Sequence, residues 1–445
     1  MSSAALRLIA KCGEIVRDTD PVRIYGRVSK GVGLVIEGVG PRANIGDICQ
    51  IQSSESPDGA PVEAEVIGFR DDKILLMPLG GMRGIGPGAK IVAKGRQRYV
   101  KVGPELLGRV LDGLGAPIDG KGPIAGELHP VYNEPINPLY RRRISTRLDL
   151  GIKAINLMLT CGKGQRIGIM AGSGVGKSVL LGMMARNTEA DINVIALIGE
   201  RGREVREFIE KDLGVEGLKR SVLVVATSDT SPLMRVRGAF VATAIAEYFR
   251  STGKHVLLMM DSATRFAMAQ REIGLAAGEP PTTKGYTPSV FNLLPKLLER
   301  AGTWDGDGTI TGLYTVLVEG DDMNEPIADA TRSILDGHIV LSRDLANHNH
   351  YPAIDVLKSI SRLMKDIIDK KHRTSVEKVL DIMALYKRYE DVITIGAYKD
   401  GTNPKLDQAI RMMDRINALL KQNVEEKVTH EEGLELLYRL FDEGA

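Results

Sequence analysis

The sequence predicts an α/β protein: a doubly wound core with a parallel sheet, preceded by a small β-barrel or sandwich and followed by an α-helical segment. Three observations predict it. Short β-rich runs separated by Gly and Pro clusters fill residues 1–94. Apolar runs without alternation, with helix-like segments between them, fill residues 95–368. From 369 to 445 the apolar residues keep helical spacing.

In the first part, a short helix is expected around Leu6, Ile9 and Val16, and then strands at 23–28, 32–36, 48–51, 62–69 and 73–77. Val62, Ala64 and Val66 alternate with Glu63 and Glu65, the pattern of a strand with one wet face. In the second part the strands fall at 166–170, 193–198, 221–226, 255–260 and 310–318, with helices such as 234–251 and 288–300 between them. In the third, Leu406, Ala409, Ile410, Met413, Ile416 and Leu420 line one helix face. Thr429-His430-Glu431-Glu432 reads as a capping box ahead of Leu434, Leu437 and Phe441.

Composition narrows the classes. The chain has 445 residues, 43% of them apolar and 26% charged, and a net charge of +2. That balance gives no strong field for nucleic acid or an anionic membrane. Cys12, Cys49 and Cys161 are far apart and read as buried thiols of a reducing compartment. With no run approaching about 20 apolar residues and no signal-peptide core, the expectation is a soluble, cytoplasmic, multidomain protein.

The most informative stretch runs from Met170 through Ala171, Gly172, Ser173, Gly174, Val175 and Gly176 to Lys177, Ser178 and Val179. It follows an apolar run and opens a helix. Gly172, Gly174 and Gly176 let backbone N–H groups curl around phosphate oxygens, and the helix start adds its positive dipole end. Lys177 reaches the β- and γ-phosphates, and the Ser178 hydroxyl can ligate Mg²⁺. Ala171 stands where the general GxxxxGK[ST] pattern has glycine, and its small side chain still permits the turn.

Other residues leave alternatives open. Asp261 ends an apolar strand, where a carboxylate can hold Mg²⁺ directly or through water, but Asp261-Ser262 can equally be a helix N-cap. Glu200 follows another strand and could orient a water for attack on the γ-phosphate, or belong to a solvated charged cluster. From spacing alone, Tyr351 is a packed aromatic and Arg362 a surface ion-pair residue, although the first could stack on adenine and the second serve as an arginine finger. His348 and His350 lack a third ligand nearby and read as a polar loop. Arg141-Arg142-Arg143 reads as a solvated linker, although it could touch an acidic partner.

Longer stretches carry a resemblance. Pro352-Ala353-Ile354-Asp355-Val356-Leu357-Lys358-Ser359-Ile360-Ser361 matches the signature P-[SAP]-[LIV]-[DNH]-x3-S-x-S of the F1/V-type rotary ATPase catalytic subunits. The loop AGSGVGKS, Gly199 to Val205, Gly278 to Tyr286, Gly320 to Pro326 and Leu335 to Arg343 resemble more closely the protein-export ATPases of type III secretion, the flagellum-specific ones first and the virulence-type ones near behind. The Ala at the head of the phosphate loop is normal in that branch.

The resemblance implies a RecA-like P-loop domain between the barrel and the helical part, and hydrolysis of ATP with Mg²⁺. It implies that the loop from Gly172 to Val179 binds nucleotide, with Lys177 on phosphate and Ser178 on Mg²⁺, and that Asp261 serves the metal through water. It makes Glu200 the catalytic carboxylate and puts Arg201 and Arg265 near the γ-phosphate, Tyr351 on the adenine and Arg362 in the neighbouring subunit's site. Further implied are a six-membered homo-oligomeric ring, export chaperones and cargo on residues 369–445, a regulator or stator on the first twenty or so residues, a central stalk protein, and an export gate at the inner membrane. Rival expectations are a rotary ATP synthase or V-type subunit, a ring-shaped RNA translocase, and a non-catalytic subunit, the last disfavoured by Glu200.

Overall fold

The computed structural model describes residues 24–52, 60–95, 99–318, 320 and 322–442. The helix expected around Leu6, Ile9 and Val16, as well as Cys12 and the motif residue Asp321, lie outside them. The chain divides into two compact units, residues 1–97 and 98–445.

The first unit holds β1 (Gly26–Val32), β2 (Val35–Val39), β3 (Ile48–Ile51), β4 (Val62–Arg70), β5 (Lys73–Pro78) and β6 (Lys90–Gly95). They close a barrel in the order β1-β2-β5-β4-β3-β6. Val28, Ile36, Cys49, Ile51, Ala64, Val66, Ile74, Leu76 and Ile91 fill its interior, so the alternation at 62–66 is read correctly by burial. Two expectations shift. The first hairpin turns at Gly33, which has φ +59°, rather than near residue 30, because Gly31 still pairs with Ile36. The unforeseen β6 joins β1 to β3 and closes the barrel.

The second unit opens with β7 (Tyr99–Val102), β8 (Val110–Asp112), β9 (Glu127–Pro130), β10 (Arg147–Leu148), the helix α1 (Lys153–Met158) and β11 (Cys161–Gly162). Then come β12 (Arg166–Ala171), α2 (Lys177–Asn187), β13 (Ile192–Ile198), α3 (Gly202–Glu207), α4 (Gly214–Lys219) and β14 (Ser221–Ala226). α5 (Pro232–Ser251), β15 (His255–Asp261), α6 (Ala263–Ala277), α7 (Pro288–Leu298), β16 (Thr309–Leu317), α8 (Pro326–Ile334) and β17 (Gly337–Leu341) follow. Last are α9 (Arg343–Asn347), β18 (Ile360–Ser361), α10 (Met364–Ile367), α11 (Lys370–Thr394), α12 (Pro404–Leu420) and α13 (His430–Asp442).

The main sheet runs β18-β17-β12-β16-β15-β13-β14-β8, parallel except for β18. Its central strands are buried over their length, as expected for a sheet covered on both faces. Because β12, β13, β15 and β16 run parallel, their carboxyl ends open on one edge, where such sheets bind ligands.

The C-terminal helices share this core. Val376 and Val379 of α11, Met412 and Ile416 of α12, and Leu437 and Leu440 of α13 join one apolar cluster with Leu157, Met184 and Ile339. The capping box forms: the Thr429 and Glu432 side chains each accept the other residue's backbone N–H, at 3.3 and 2.8 Å. Cys49 and Cys161 are free and buried thiols.

Candidate active site

The phosphate loop links the end of β12 to α2 at the carboxyl edge. Gly174 and Gly176 have φ of +77° and +83°, a backbone that other residues adopt only under strain. A Cβ at Gly176 would stand 3.5 Å from the Tyr351 ring, so that aromatic lies against the loop. Tyr351 is 42% exposed, which leaves part of its surface open to a ligand. Val175 is buried beneath the loop, while Ser173, Gly174, Ser178 and Val179 are exposed above it.

Lys177, Glu200 and Asp261 converge there from three strand ends. Lys177 Nζ donates to Asp261 Oδ1 and stands 3.5 Å from Glu200 Oε1. Burial works against the lysine's charge, but Asp261 and then Glu200 outweigh it and hold its pKa above the ordinary lysine value. Burial first, then the Asp261 charge, push the Glu200 carboxyl up to about 7 against the pull of Lys177. A hydrogen bond shared with Glu204 adds to the rise, and the same bond holds Glu204 below its ordinary value.

These contacts bear on the alternatives left open at Asp261 and Glu200. Ser262, not Asp261, caps α6, accepting the Arg265 N–H at 3.2 Å. Asp261 is 4% exposed and accepts the Thr315 hydroxyl at 2.7 Å. Glu200 is half-buried, not a solvated surface charge. Its approach is set by Gly199, which has φ +74°, and where a Cβ would meet Arg265 Cβ at 2.8 Å. The stem of Arg265 thus packs beside Glu200, and its buried Nε has no hydrogen-bond partner among the described residues. Arg201 is exposed and bonds Glu204 at 3.1 Å.

Arg362 does not join this cluster. It follows β18, whose Ser361 pairs with Gly337 at the amino end of β17. Its backbone N–H bonds the Asp336 carbonyl at 3.0 Å and its guanidinium the Arg332 carbonyl at 3.1 Å. The Asp336 carboxylate grips Arg166 at the start of β12, at 3.1 Å. Arg362 and the phosphate loop therefore stand at opposite ends of the sheet, separated by a strand length of roughly 15–20 Å.

Three contributors escape sequence reasoning: Thr315, Glu204 and Asp336. Thr315 carries a faint signal as a hydroxyl inside an apolar strand; the other two look like any surface carboxylate until the fold pairs them. His348 bonds back to Asp344, and among the described residues no three His, Cys, Asp or Glu gather into a metal cage. Arg141, Arg142 and Arg143 are tied within the chain, to the Glu299 and Ala301 carbonyls, to Asp307 at 3.2 Å and to Asp366 at 3.5 Å.

Comparison with known proteins places this geometry. The nucleotide-binding domain of the ATP synthase alpha/beta family matches residues 151–361 and the family's β-barrel domain residues 28–95. The C-terminal domain of the type III secretion ATPase EscN matches residues 368–439. The flagellum-specific ATP synthase of Bacillus subtilis (strain 168) is 55% identical over 429 residues, 96% of this chain and 97% of that protein. The assembled ATPase EscN of the enteropathogenic E. coli type III secretion system superposes with a TM-score of 0.88 at 45% identity, over 93% of this chain and 99% of that one. EscN in complex with its central stalk EscO gives 0.85 at 44% identity over the same shares. The chain belongs to the ATP synthase alpha/beta family, in its branch of flagellum-specific and type III secretion ATPases.

Proposed function

We propose that this ATPase energises type III protein export, releasing and unfolding cargo from its chaperones, and that each catalytic site is completed by a neighbouring copy of the chain. One observation carries the second clause: Lys177, Glu200 and Asp261 meet at one end of the sheet while Arg362 stands at the other. A single copy cannot bring Arg362 to its own phosphate loop, whereas a ring can bring it to the next. Six members, with a barrel, a RecA-like core and a helical C-terminal part in each, is the arrangement we infer.

The donor set at the loop fits Mg²⁺. The Ser178 hydroxyl and the Asp261 carboxylate flank the phosphate cradle, with Glu200 beside them, and Mg²⁺ is characteristically held by one or two carboxylates plus substrate phosphates and water. When bound, Mg²⁺ neutralises charge on the β- and γ-phosphate oxygens. Ser178 would ligate it and Asp261 hold one of its waters. Lys177 exchanges Asp261 and Glu200 for the phosphates. Glu200, released from the lysine and with its pKa raised to about 7 by burial, then by Asp261 and Glu204, orients water in line with the γ-phosphate as a carboxylate and takes up its proton. Arg265 and Arg201 lie near the γ-phosphate, and Tyr351 packs the adenine. Arg362 from the neighbour stabilises the charge of the transition state.

Flagellar service is the first reading, supported by the 55% identical relative; virulence-type secretion is the second, supported by the EscN structure. No described helix is long and apolar enough to cross a membrane, so attachment to the inner-membrane export gate would be peripheral. A central stalk protein, a regulator and export chaperones are the expected partners, the last on residues 369–445. A mixing experiment tests the shared site. Glu200→Gln and Arg362→Ala chains, each inactive alone, should recover hydrolysis when co-assembled, because some interfaces then pair an intact Glu200 with an intact Arg362. Absence of recovery in confirmed mixed rings defeats the shared-site reading.

A further inference from the structure

Asp261 is held by a group that neither the motifs nor the relatives single out. β15 and β16 lie side by side, with Met260 opposite Tyr314, so the next residue pair, Asp261 and Thr315, share one level of the sheet. Thr315 is fully buried. Its hydroxyl lies 2.7 Å from Asp261 Oδ1 and 3.3 Å from the Met260 carbonyl. One proton cannot serve both, and the shorter contact to a carboxylate is the stronger bond.

Asp261 Oδ1 is also the oxygen that receives Lys177 Nζ. A buried carboxylate needs hydrogen-bond donors to hold its orientation. When Lys177 turns to the phosphates, Oδ1 loses that donor, and the Thr315 hydroxyl, anchored in the sheet, stays. We propose that Thr315 is a positioning residue for the nucleotide-bound state: it keeps Asp261 oriented toward the metal site after Lys177 has left. The inference rests on the reading that Asp261 serves the metal.

Thr315→Val removes the hydroxyl at nearly constant volume, and Thr315→Ser keeps it. The measurement is Mn²⁺ binding to the ADP-saturated full-length protein by electron paramagnetic resonance, with metal-free ADP affinity by calorimetry in chelator as the control. Thr315→Val is expected to weaken Mn²⁺ binding by roughly 10–100-fold, the usual effect of losing a group that orients a metal ligand, with metal-free ADP affinity unchanged. Thr315→Ser should restore wild-type Mn²⁺ affinity. Asp261→Asn separates the two layers. If it weakens Mn²⁺ while Thr315→Val does not, the Thr315 role is wrong and the Asp261 reading stands. If Asp261→Asn leaves Mn²⁺ affinity intact, the Asp261 reading itself is wrong. Equal losses of ADP and Mn²⁺ in Thr315→Val, or no restoration by Thr315→Ser, would reduce the hydroxyl to packing and overturn the proposal.

Discussion

The two ends of the parallel sheet are both rich in charge, but the charge is balanced differently. At the amino end, two cations have carboxylate partners. Arg300, with no exposed surface, is bonded by both Glu247 oxygens, at 2.9 and 2.6 Å, and Arg166 is shared between Asp336 and Glu299. Burial alone would raise the Glu247 carboxyl, yet Arg300, His129 and Asn133 hold it down at about 2. At the carboxyl end, Lys177 faces Asp261 and Glu200, with Glu204 behind, and Glu200 is pushed up to about 7 as a result. A matched set of charges fixes a shape. An unmatched set, buried and short of cations, is poised to reorganise around a charged ligand. Arg362, also at the amino end, differs from these two: its guanidinium is exposed and bonds a carbonyl, which leaves its charge available to another chain.

The sharpest way to break this contrast is Arg362→Ala. If its charge is spent in the neighbour's site, hydrolysis by the assembled enzyme should fall about 10³–10⁵-fold while ATP binding persists, measured by phosphate release and by nucleotide titration. Glu200→Gln should cost about 10²–10⁴-fold in turnover, again with ATP retained; wild-type turnover would remove its role as the base. Arg300→Met probes the matched end. Leaving Glu247 buried and unpaired should lower stability by about 3–5 kcal/mol in denaturant unfolding, with the residual folded enzyme keeping its nucleotide affinity.

The smallest expected effect is on pH. With Glu200 raised to about 7, its active carboxylate form fills as pH rises through that value. kcat/KM should therefore climb by about tenfold per pH unit below 7 and level off above it, and Glu200→Gln should lose that limb. The linkage has the matching sign: a carboxyl raised above its unfolded value stabilises the fold at low pH, and that contribution is lost as pH rises toward 7.

What the residues disclose in advance is what is local. The phosphate loop is a run of neighbours in sequence, and the strands at 166–170, 193–198, 221–226, 255–260 and 310–318 announce themselves because burial on both faces demands continuous apolar runs. Thr429 and Glu432 reveal their helix start because a cap needs only three residues of spacing. By contrast, β8 and β18 have three and two residues, too few for any period, and exist because a neighbour offers them hydrogen bonds. β6 carries Lys90 and Lys94 within six residues and gains strand character from its pairing with β1 and β3. Glu204 and Thr315 acquire meaning only once Glu200 and Asp261 are beside them. That Arg362 lies far from Lys177 depends on strand order, which no short stretch encodes.

β12 has six residues and reaches from Arg166, which grips Asp336 beside Arg362, to Ala171, which leads into the phosphate loop. It is an inextensible rod of roughly 20 Å, stiffened by neighbours on both sides. In the proposed ring, one subunit's grasp of its own fuel and its reach toward the next subunit's fuel are opposite tips of a single lever.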